Sequence, residues 1–580
     1  MRTILLSLII TISTYGQSLN WAAKFSGSAH EICSNVVTDA AGNVYAVGIF
    51  HSSVDFDPGP GFLYLNGSNP NQGDMYCVKL NRDGQLIWAK IVGGADGYSS
   101  IEETTPTVAV DAAGNVFVAG IYNNQTDMDP GPATLFLPPA SATISTGNFI
   151  SKFDSAGNLI WAKAHGAPFG SMWNRQIKTD AAGNVYLAGY FHYQMSFSGA
   201  TNITLSTDAA KFDGYVLKYD NDGVFQNAVQ IGSTAYDDYI RDMDVDAQGN
   251  VAITGGYRGT VDFDPSSAVL SHASQTNGED IYLAKYDTAL NLEWAHSFGR
   301  PASTFAESGH AVTFDNQGHV IAAGILRVVA DFDPSPETTF DLQSVGLASA
   351  FFLKLTPAGT FVWAKTIGAM SPDFTINYSE KVFDLATDAQ GRIYATGHYV
   401  SHMDADPSDA AYNLVANGGG NQAFNLMLDA EGNFGWARSY GPVSTNLNAE
   451  GRSIAVNPFN EVVVGGRFQG SMDFNPGGSP VMLSSSFSSY GSFLMSILPA
   501  GLSTSAFAAG QSFSASPNPF TETVQFNGEV LSVELYDVLG RCVLSAKNID
   551  RFDGRGLPTG IYTAKVATSS GIRVVRLMKR

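Results

Sequence analysis

One pattern returns seven times along this chain, and any fold for it must offer seven equivalent places. In its fullest form it reads D-A-A-G-N-V-Y-x-x-G-x-aromatic-x-x-x-x-D-F-D-P. The copies begin at Asp39, Asp111, Asp180, Asp246, Asp315, Asp388 and Asn457. The second acidic position of the closing motif falls 18 residues later, at Asp57, Asp129, Ser198, Asp264, Asp333, Asp406 and Asn475. A repeat that keeps its register over this length is one supersecondary unit that packs on its own copies.

Each copy offers four strand-like segments punctuated by Gly, Asp and Pro. In the first, Cys33 to Thr38 enters a turn at Asp39-Ala40-Ala41-Gly42. There Asp bonds the backbone ahead and Gly takes a positive φ. Val44 to Val47 returns as the hairpin partner. Met75 to Leu80 is a third strand, turning at Asn81-Arg82-Asp83-Gly84 into a fourth, Leu86 to Ala89. No segment carries a sustained helical period with caps, so little helix is expected. Four short antiparallel strands in a repeat of about 69 residues match a propeller blade. The expected fold class is all-β, a seven-bladed β-propeller followed by a small β-sandwich domain.

Trp marks the fourth strand at Trp88, Trp161, Trp294, Trp363 and Trp436, with Asn227 taking its place once. Trp21 stands ahead of the first full repeat, while the seventh ends in Leu502 to Ser505 without a Trp. The Trp21 strand is therefore expected to cross the ring and complete the last blade, removing an open edge. Two residues after each closing Gly stand Phe50, Tyr122, Phe191, Tyr257, Leu326, Tyr399 and Phe468. Phe56, Met128, Phe197, Phe263, Phe332, Ala405 and Phe474 fill the slot between the acidic positions. Bulk at one register in nearly every copy packs sheet on sheet.

The net charge of -21, from 32 basic and 53 acidic residues, repels phosphate backbones and argues against a nucleic-acid partner. Residues 1–16 read as a signal peptide: Arg2, an apolar run from Ile4 to Ile12, then small residues. That run is too short to anchor the chain across a bilayer, and no later transmembrane segment is found. Cys33, Cys77 and Cys542 make no disulfide scaffold. Cys33 and Cys77 share a repeat and could form one bridge. Cys77 occupies an apolar position in other copies, which points to a buried thiol.

The D-x-x-G-N-V-Y turn, the D-F-D-P-G-P stretch from Asp55 to Pro60 and the Lys79 to Lys90 hairpin recur in order. In these motifs the chain resembles the β-propeller repeat family of secreted bacterial proteins. The resemblance implies seven blades and brings no catalytic motif. After Ala508 the repeat stops. Pro517-Asn518-Pro519-Phe520, then Val533 to Arg541, then Leu557-Pro558-Thr559-Gly560-Ile561-Tyr562, then a last strand ending in Lys579-Arg580, predict a small β-sandwich. This stretch is similar to the C-terminal sorting domain of type IX secretion substrates. It departs from that pattern at Leu539-Gly540 and Cys542. The similarity implies export across the outer membrane of a Bacteroidetes-type bacterium by the type IX secretion machinery, to the extracellular space or the outer-membrane surface. The domains expected are 1–16 signal peptide, 17–508 propeller, 509–511 linker and 512–580 sorting domain.

Two sets of residues could carry chemistry. Asp55/Asp57, Asp127/Asp129, Asp262/Asp264, Asp331/Asp333 and Asp404/Asp406 lie two apart, so in an extended chain each pair shares a face. Such pairs suit Ca2+, a hard cation that wants carboxylate and carbonyl oxygens. They equally suit turns, with Lys79, Lys152, Lys218, Lys285 and Lys354 at a matching strand position as ion-pair partners. No cofactor other than this cation is suggested. The second set, His51, Asn123, His192, Arg258, Arg327 and Gln469, with Val400 in the sixth copy, follows the ring aromatics. Unlike side chains amid repeating neighbours are free of the packing constraint and could form a ligand-binding rim; a solvated rim without a role is the plainer reading.

No G-x-S-x-G, H-E-x-x-H, Walker or G-x-G-x-x-G motif is present, so the chain is not expected to be an enzyme. The reading is a secreted propeller serving as a binding or scaffold module for extracellular glycan or protein. Its rivals are an extracellular hydrolase with an active site at the propeller axis and a purely structural surface protein.

Overall fold

The repeat pairs its strands in the same order in each copy. In the computed structural model, Glu31–Thr38, Val44–Phe50, Asp74–Leu80 and Leu86–Gly94 form one antiparallel sheet, each strand bonded to the next in sequence. Six further sets repeat this order, with inner strands Thr107–Val110, Met172–Thr179, Tyr239–Val245, Ser308–Phe314, Lys381–Thr387 and Ala449–Val456. They are called sheets 1 to 7 below. Successive inner strands lie against one another, and Ala449–Val456 lies against Glu31–Thr38, so the succession closes on itself. The structure describes most of residues 17–498 and 515–579; the longest stretches left undescribed are 95–105, 139–145, 166–171, 300–305 and 369–379. Among the described residues there is no helix. The expected signal peptide, the 509–511 linker and Pro517 to Pro519 fall outside them.

The outer strand of sheet 7 comes from the other end of the chain. Ser18–Lys24 pairs antiparallel with Gly491–Leu498, Ala22 facing Met495. The D-x-D segments, expected as extended pairs or turns, open short hairpins of their own. Ser53–Asp55 with Tyr64–Asn66 and Val329–Asp331 with Asp341–Gln343 are examples. Three-residue strands are too short to leave a periodic signal. The aromatic columns are buried as expected: Phe50, Tyr257 and Phe468 are fully enclosed, and so are Phe56, Phe332 and Phe474. Cys33 and Cys77 are free, buried thiols, and Cys542 is free and exposed.

What joins sheet to sheet is a latch that the sequence only half disclosed. The five lysines do not pair with the Asp-x-Asp carboxylates. Each lies on a third strand, and three of the four that face a Trp across the strand pair reach the next sheet's turn together with it. Trp161, opposite Lys152, makes no hydrogen bond through Nε1 among the described residues. The Ser155 carbonyl accepts from Lys79 Nζ at 3.0 Å and Trp88 Nε1 at 3.2 Å. The Pro357 carbonyl accepts from Lys285 at 3.2 Å and Trp294 at 3.0 Å. The Ala430 carbonyl accepts from Lys354 and Trp363, both at 3.2 Å. Lys152 donates to Asn221 O at 3.2 Å and Lys218 to the Thr288 carbonyl. At the ring closure Trp21 Nε1 donates to Arg82 O at 2.8 Å, and the Arg82 guanidinium pairs with Glu461 of sheet 7 at 2.7 Å.

The indole also needs room. Gly84, at φ +79°, faces Trp21 so closely that a Cβ would sit 2.7 Å from the ring; Gly157, also at φ +79°, meets Trp88 at 3.1 Å. Here Gly serves both the left-handed turn and the close approach. Sheet 4 is the internal control. Where Asn227 replaces Trp, the turn glycine is replaced by Leu290, buried and held at φ +65°. Asn227 Nδ2 keeps the inter-sheet bond, donating to Ala289 O at 2.8 Å.

The C-terminal unit, Ser503–Arg580, has its own core. A three-stranded sheet (Ala515–Ser516, Thr523–Phe526, Arg551–Asp553) and a four-stranded one (Cys542–Lys547, Ser532–Tyr536, Gly560–Thr568, Gly571–Lys579) contribute to one apolar cluster. Phe520, Val524, Val533, Leu535, Phe552 and Leu577 are buried in it.

Asn227→Trp alone puts an indole where Leu290 already stands. It is expected to lower stability by about 1–3 kcal/mol, the usual range for overpacking. Asn227→Trp with Leu290→Gly rebuilds the pairing of the other sheets and should recover most of that loss. Urea unfolding of the four proteins in a double-mutant cycle reads the coupling; strict additivity would contradict the latch.

Candidate functional site

Six of the seven inner strands carry a β-bulge at one register. The pairing skips a residue between Cys33/Asn35, Asn174/Gln176, Ile240/Asp242, Gly309/Ala311, Val382/Asp384 and Gly451/Ser453. The skipped residues are Ser34, Arg175, Arg241, His310, Phe383 and Arg452, and all six line a cavity of about 490 Å³ between the inner strands. A bulge leaves one residue unpaired and re-aims its side chain, often beside a functional site. Pro106, Tyr190, Tyr239, Glu279 and Lys381 complete much of the wall.

Directly below, the residue after each bulge forms a hydrogen-bonded belt. Asp384 Oδ2 accepts from Ser453 Oγ at 2.7 Å and from the Ile454 N–H at 2.9 Å. Ser453 Oγ accepts from the Val36 N–H at 3.1 Å, and Asn35 Oδ1 accepts from the Val108 N–H at 3.0 Å. Thr107 Oγ1 donates to Gln176 Oε1 at 2.9 Å, and Gln176 Nε2 donates to Asp242 Oδ1 at 3.1 Å. Asp242 Oδ2 accepts from the Val312 N–H at 2.8 Å. Each link passes from one sheet to the next, including 7 to 1. Ala311, with no polar side chain, interrupts the belt between sheets 5 and 6.

The electrostatics divide the axis into two layers. In the lower one, burial pushes Asp242 up to about 7, reinforced by the charge of Asp384. Asp384 is raised as well, by its own burial. Lys178 pairs with Asp244 at 3.0 Å. Burial works against its ammonium, but Asp244, Asp242 and Asp384 together hold its pKa above the usual lysine value.

The upper layer is cationic. Arg241 pairs with Glu279 at 3.0 Å and Arg452 with Glu450 at 2.9 Å. Glu450, buried against its own charge, is nevertheless held down to about 2 by Arg452 and Arg467. Burial draws Lys381 down to about 8, helped by Arg241, Arg452 and Arg175. His310 is drawn well below its usual value by burial, then by Lys381, Arg241 and Arg175.

The residues expected from sequence lie elsewhere. None of the rim set lines this cavity among the described residues. His51 Nδ1 lies 3.1 Å from His30 O, Arg258 sits 4.3 Å over the Tyr236 ring, and Gln469 Oε1 accepts from the Asn448 N–H at 3.3 Å. The Arg327 N–H donates to Glu307 Oε1 at 3.4 Å, and Asn123 pairs through its backbone with Thr146. His192 packs on Trp173, which stacks on the cavity residue Tyr190. The Asp-x-Asp pairs hold their hairpins: Asp55 Oδ1 accepts from the Asp57 and Leu63 N–H groups, and Asp57 Oδ1 from the Gly59 N–H. Asp127, Asp262, Asp331 and Asp404 accept in the same way from Asp129, Asp264, Asp333 and Asp406. Among the described residues no three His, Cys, Asp or Glu side chains gather as a metal set.

Residues 514–580 match the family described as the secretion system C-terminal sorting domain. The repeat region is similar to an uncharacterized WD repeat-containing protein of Acanthamoeba polyphaga mimivirus. The two are 23% identical over 457 residues, covering 67% of this chain and 32% of that protein. The chain is a secreted β-propeller repeat protein with a type IX sorting domain. Among solved structures, this propeller is similar to an ulvan lyase, described as a new family of polysaccharide lyase. Identity is 13%, coverage 80% of this chain and 98% of that one, and the TM-score 0.40. It is also similar to a protein of unknown function from Dyadobacter fermentans, with 12% identity, 83% and 99% coverage and a TM-score of 0.35. Neither likeness bears on the chemistry of the cavity. No helix among the described residues is long and apolar enough to cross a membrane.

Lys178→Met leaves the lower acids without their cation. Removing one partner of a buried charge set costs about 3 kcal/mol. Burial, reinforced by the Asp384 charge, raises the Asp242 pKa to about 7, well above an ordinary carboxylate, so the folded state keeps its proton longer than the unfolded chain. Its contribution to stability therefore falls as pH rises through that window. The variant should lose more relative to the parent at pH 8 than at pH 5, read from urea midpoints. Equal losses at both would contradict the assignment.

Proposed function

We propose that this protein is a seven-bladed β-propeller with a small β-sandwich sorting domain. It works outside the cell as a binding or scaffold module for glycan or protein, and the axial cavity is its ligand site. The type IX machinery of a Bacteroidetes-type bacterium delivers it, and cleavage of the tail then leaves it attached to the surface or released. The seven like-ordered sheets support the blade number, and the two sheets around Phe520 and Phe552 support the sandwich.

One observation carries the binding role. Six bulges at one register turn six side chains, three of them Arg, into a single cavity, while the position two residues further on stays apolar from sheet to sheet (Val36, Ile177, Met243, Val312, Leu385, Ile454). A ring that only had to be rigid gains no pairing from breaks in six of its seven inner ladders, since each bulge gives up pairing. Concave sites with a few convergent polar groups are where ligands are held.

The secreted protein on a glycan array tests this reading. Specific hits lost in the Arg175→Ala/Arg241→Ala variant are expected. Hits that survive that variant would move the site elsewhere. No hit above the isolated tail would leave the scaffold role without a glycan, and release of reducing ends from a bound glycan would replace binding with hydrolysis.

A further inference from the structure

The chain is strongly acidic overall, yet its one bulge-lined cavity is rich in cations. Arg175, Arg241, Lys381 and Arg452 all line it, within a protein of net charge -21. Arg241 pairs with Glu279 and Arg452 with Glu450. Asp242 and Asp384 also line the cavity, but their oxygens are committed to the belt. Lys381 has no ion pair or hydrogen bond through Nζ among the described residues; its head lies 4.8 Å from the Phe383 ring. Like charges gathered in a partly buried space repel one another, and an anion seated among them relieves that repulsion. Burial first, and then the neighbouring cations, draws Lys381 and His310 below their usual values.

The aromatic wall narrows the choice. Arg175 sits 5.7 Å over Tyr190, Arg241 5.3 Å over Tyr239, and Arg452 4.9 Å over Phe383. Tyr190 is backed by Trp173 in a stack of 5.4 Å. Cationic heads therefore alternate with flat apolar surfaces around one cavity, whose volume of about 490 Å³ is far more than an inorganic anion fills. A sugar ring presents this combination: C–H groups that pack on an aromatic surface and a charged substituent at the ring's edge. An acidic peptide offers the charge without the flat face.

We propose that the axial cavity binds an anionic saccharide, a sugar chain carrying carboxylate or sulfate groups. This rests on the reading of the ring as a binding module. Lys381 is the cation that holds the charged group, with Arg175 lining the same wall, and Tyr190, Tyr239 and Phe383 form the wall for the sugar ring.

Titration calorimetry of the secreted protein at low salt tests it, using oligogalacturonate for carboxylate and dextran sulfate for sulfate. Neutral dextran, sodium sulfate and poly-glutamate are the comparisons. One charged glycan is expected to bind at least about tenfold more tightly than neutral dextran, and to weaken as salt is added. Lys381→Met and Arg175→Met should each weaken it by about tenfold or more, as loss of a charge-assisted contact does, with unchanged thermal midpoints. Neutral dextran bound as tightly as the charged glycans would overturn the anionic assignment and leave the binding-module reading standing. Full competition by sodium sulfate at equal concentration, or equal affinity for poly-glutamate, would overturn the saccharide. A folded Lys381→Met protein with parental affinity would overturn the site. Absence of binding to every probe overturns this inference, while the array decides the broader reading separately.

Discussion

A turn carbonyl on one sheet that accepts from both the tryptophan and the lysine of the sheet before it is the contact on which this architecture depends. It occurs in full at Ser155, Pro357 and Ala430. Sheet faces packed through apolar side chains can slide or rotate, because that attraction has no direction. A directed bond from a buried indole, with its ring on a left-handed glycine, fixes how far each sheet turns from the last. At the closure the same contact is made by Trp21, a residue 61 positions away in sequence from the carbonyl it meets. The Arg82–Glu461 pair adds a second tie across that junction.

A second set of directed bonds runs around the axis. The belt from Asp384 through Ser453, Asn35, Thr107 and Gln176 to Asp242 uses side chains of one sheet to satisfy backbone N–H groups of the next. The N–H groups of Ile454, Val36 and Val312 follow a bulge, while Val108 donates from a strand whose pairing runs without one. The bulges aim Arg175, Arg241, His310 and Arg452 into the cavity above the belt. The fields differ in sign: acids held around Lys178 beneath, cations around Lys381 on top. Separating them by one residue of strand keeps each charge near its own partners.

The ring was legible in the sequence because packing repeats. The Gly that closes each turn, the aromatics after it and the fourth-strand Trp all recur at fixed spacing, and Trp21 stood out as the copy without a repeat. The partner of the lysines was not legible. Lys79 reaches a residue 76 positions away, and spacing within one copy says nothing of the next sheet's turn. The cavity was missed for a related reason. A bulge shifts the alternation by one residue, so the inward face cannot be read from a period of two. The signal was nonetheless there. The column Ser34, Pro106, Arg175, Arg241, His310, Phe383 and Arg452 varies as widely as the rim column after the second strand. Applied to the inner strand, the same search for variation amid repetition would have found it.

Native-state hydrogen exchange tests the closed ring most directly. If sheet 7 is completed by Ser18–Lys24 and tied to sheet 1, the amides of that strand and the Val36 N–H open only when the whole ring unfolds. Their exchange should then follow the same denaturant dependence as the inner strands. Exchange of Ser18–Lys24 at rates independent of denaturant, ahead of the rest, would show an edge that opens alone and a ring that is not closed there.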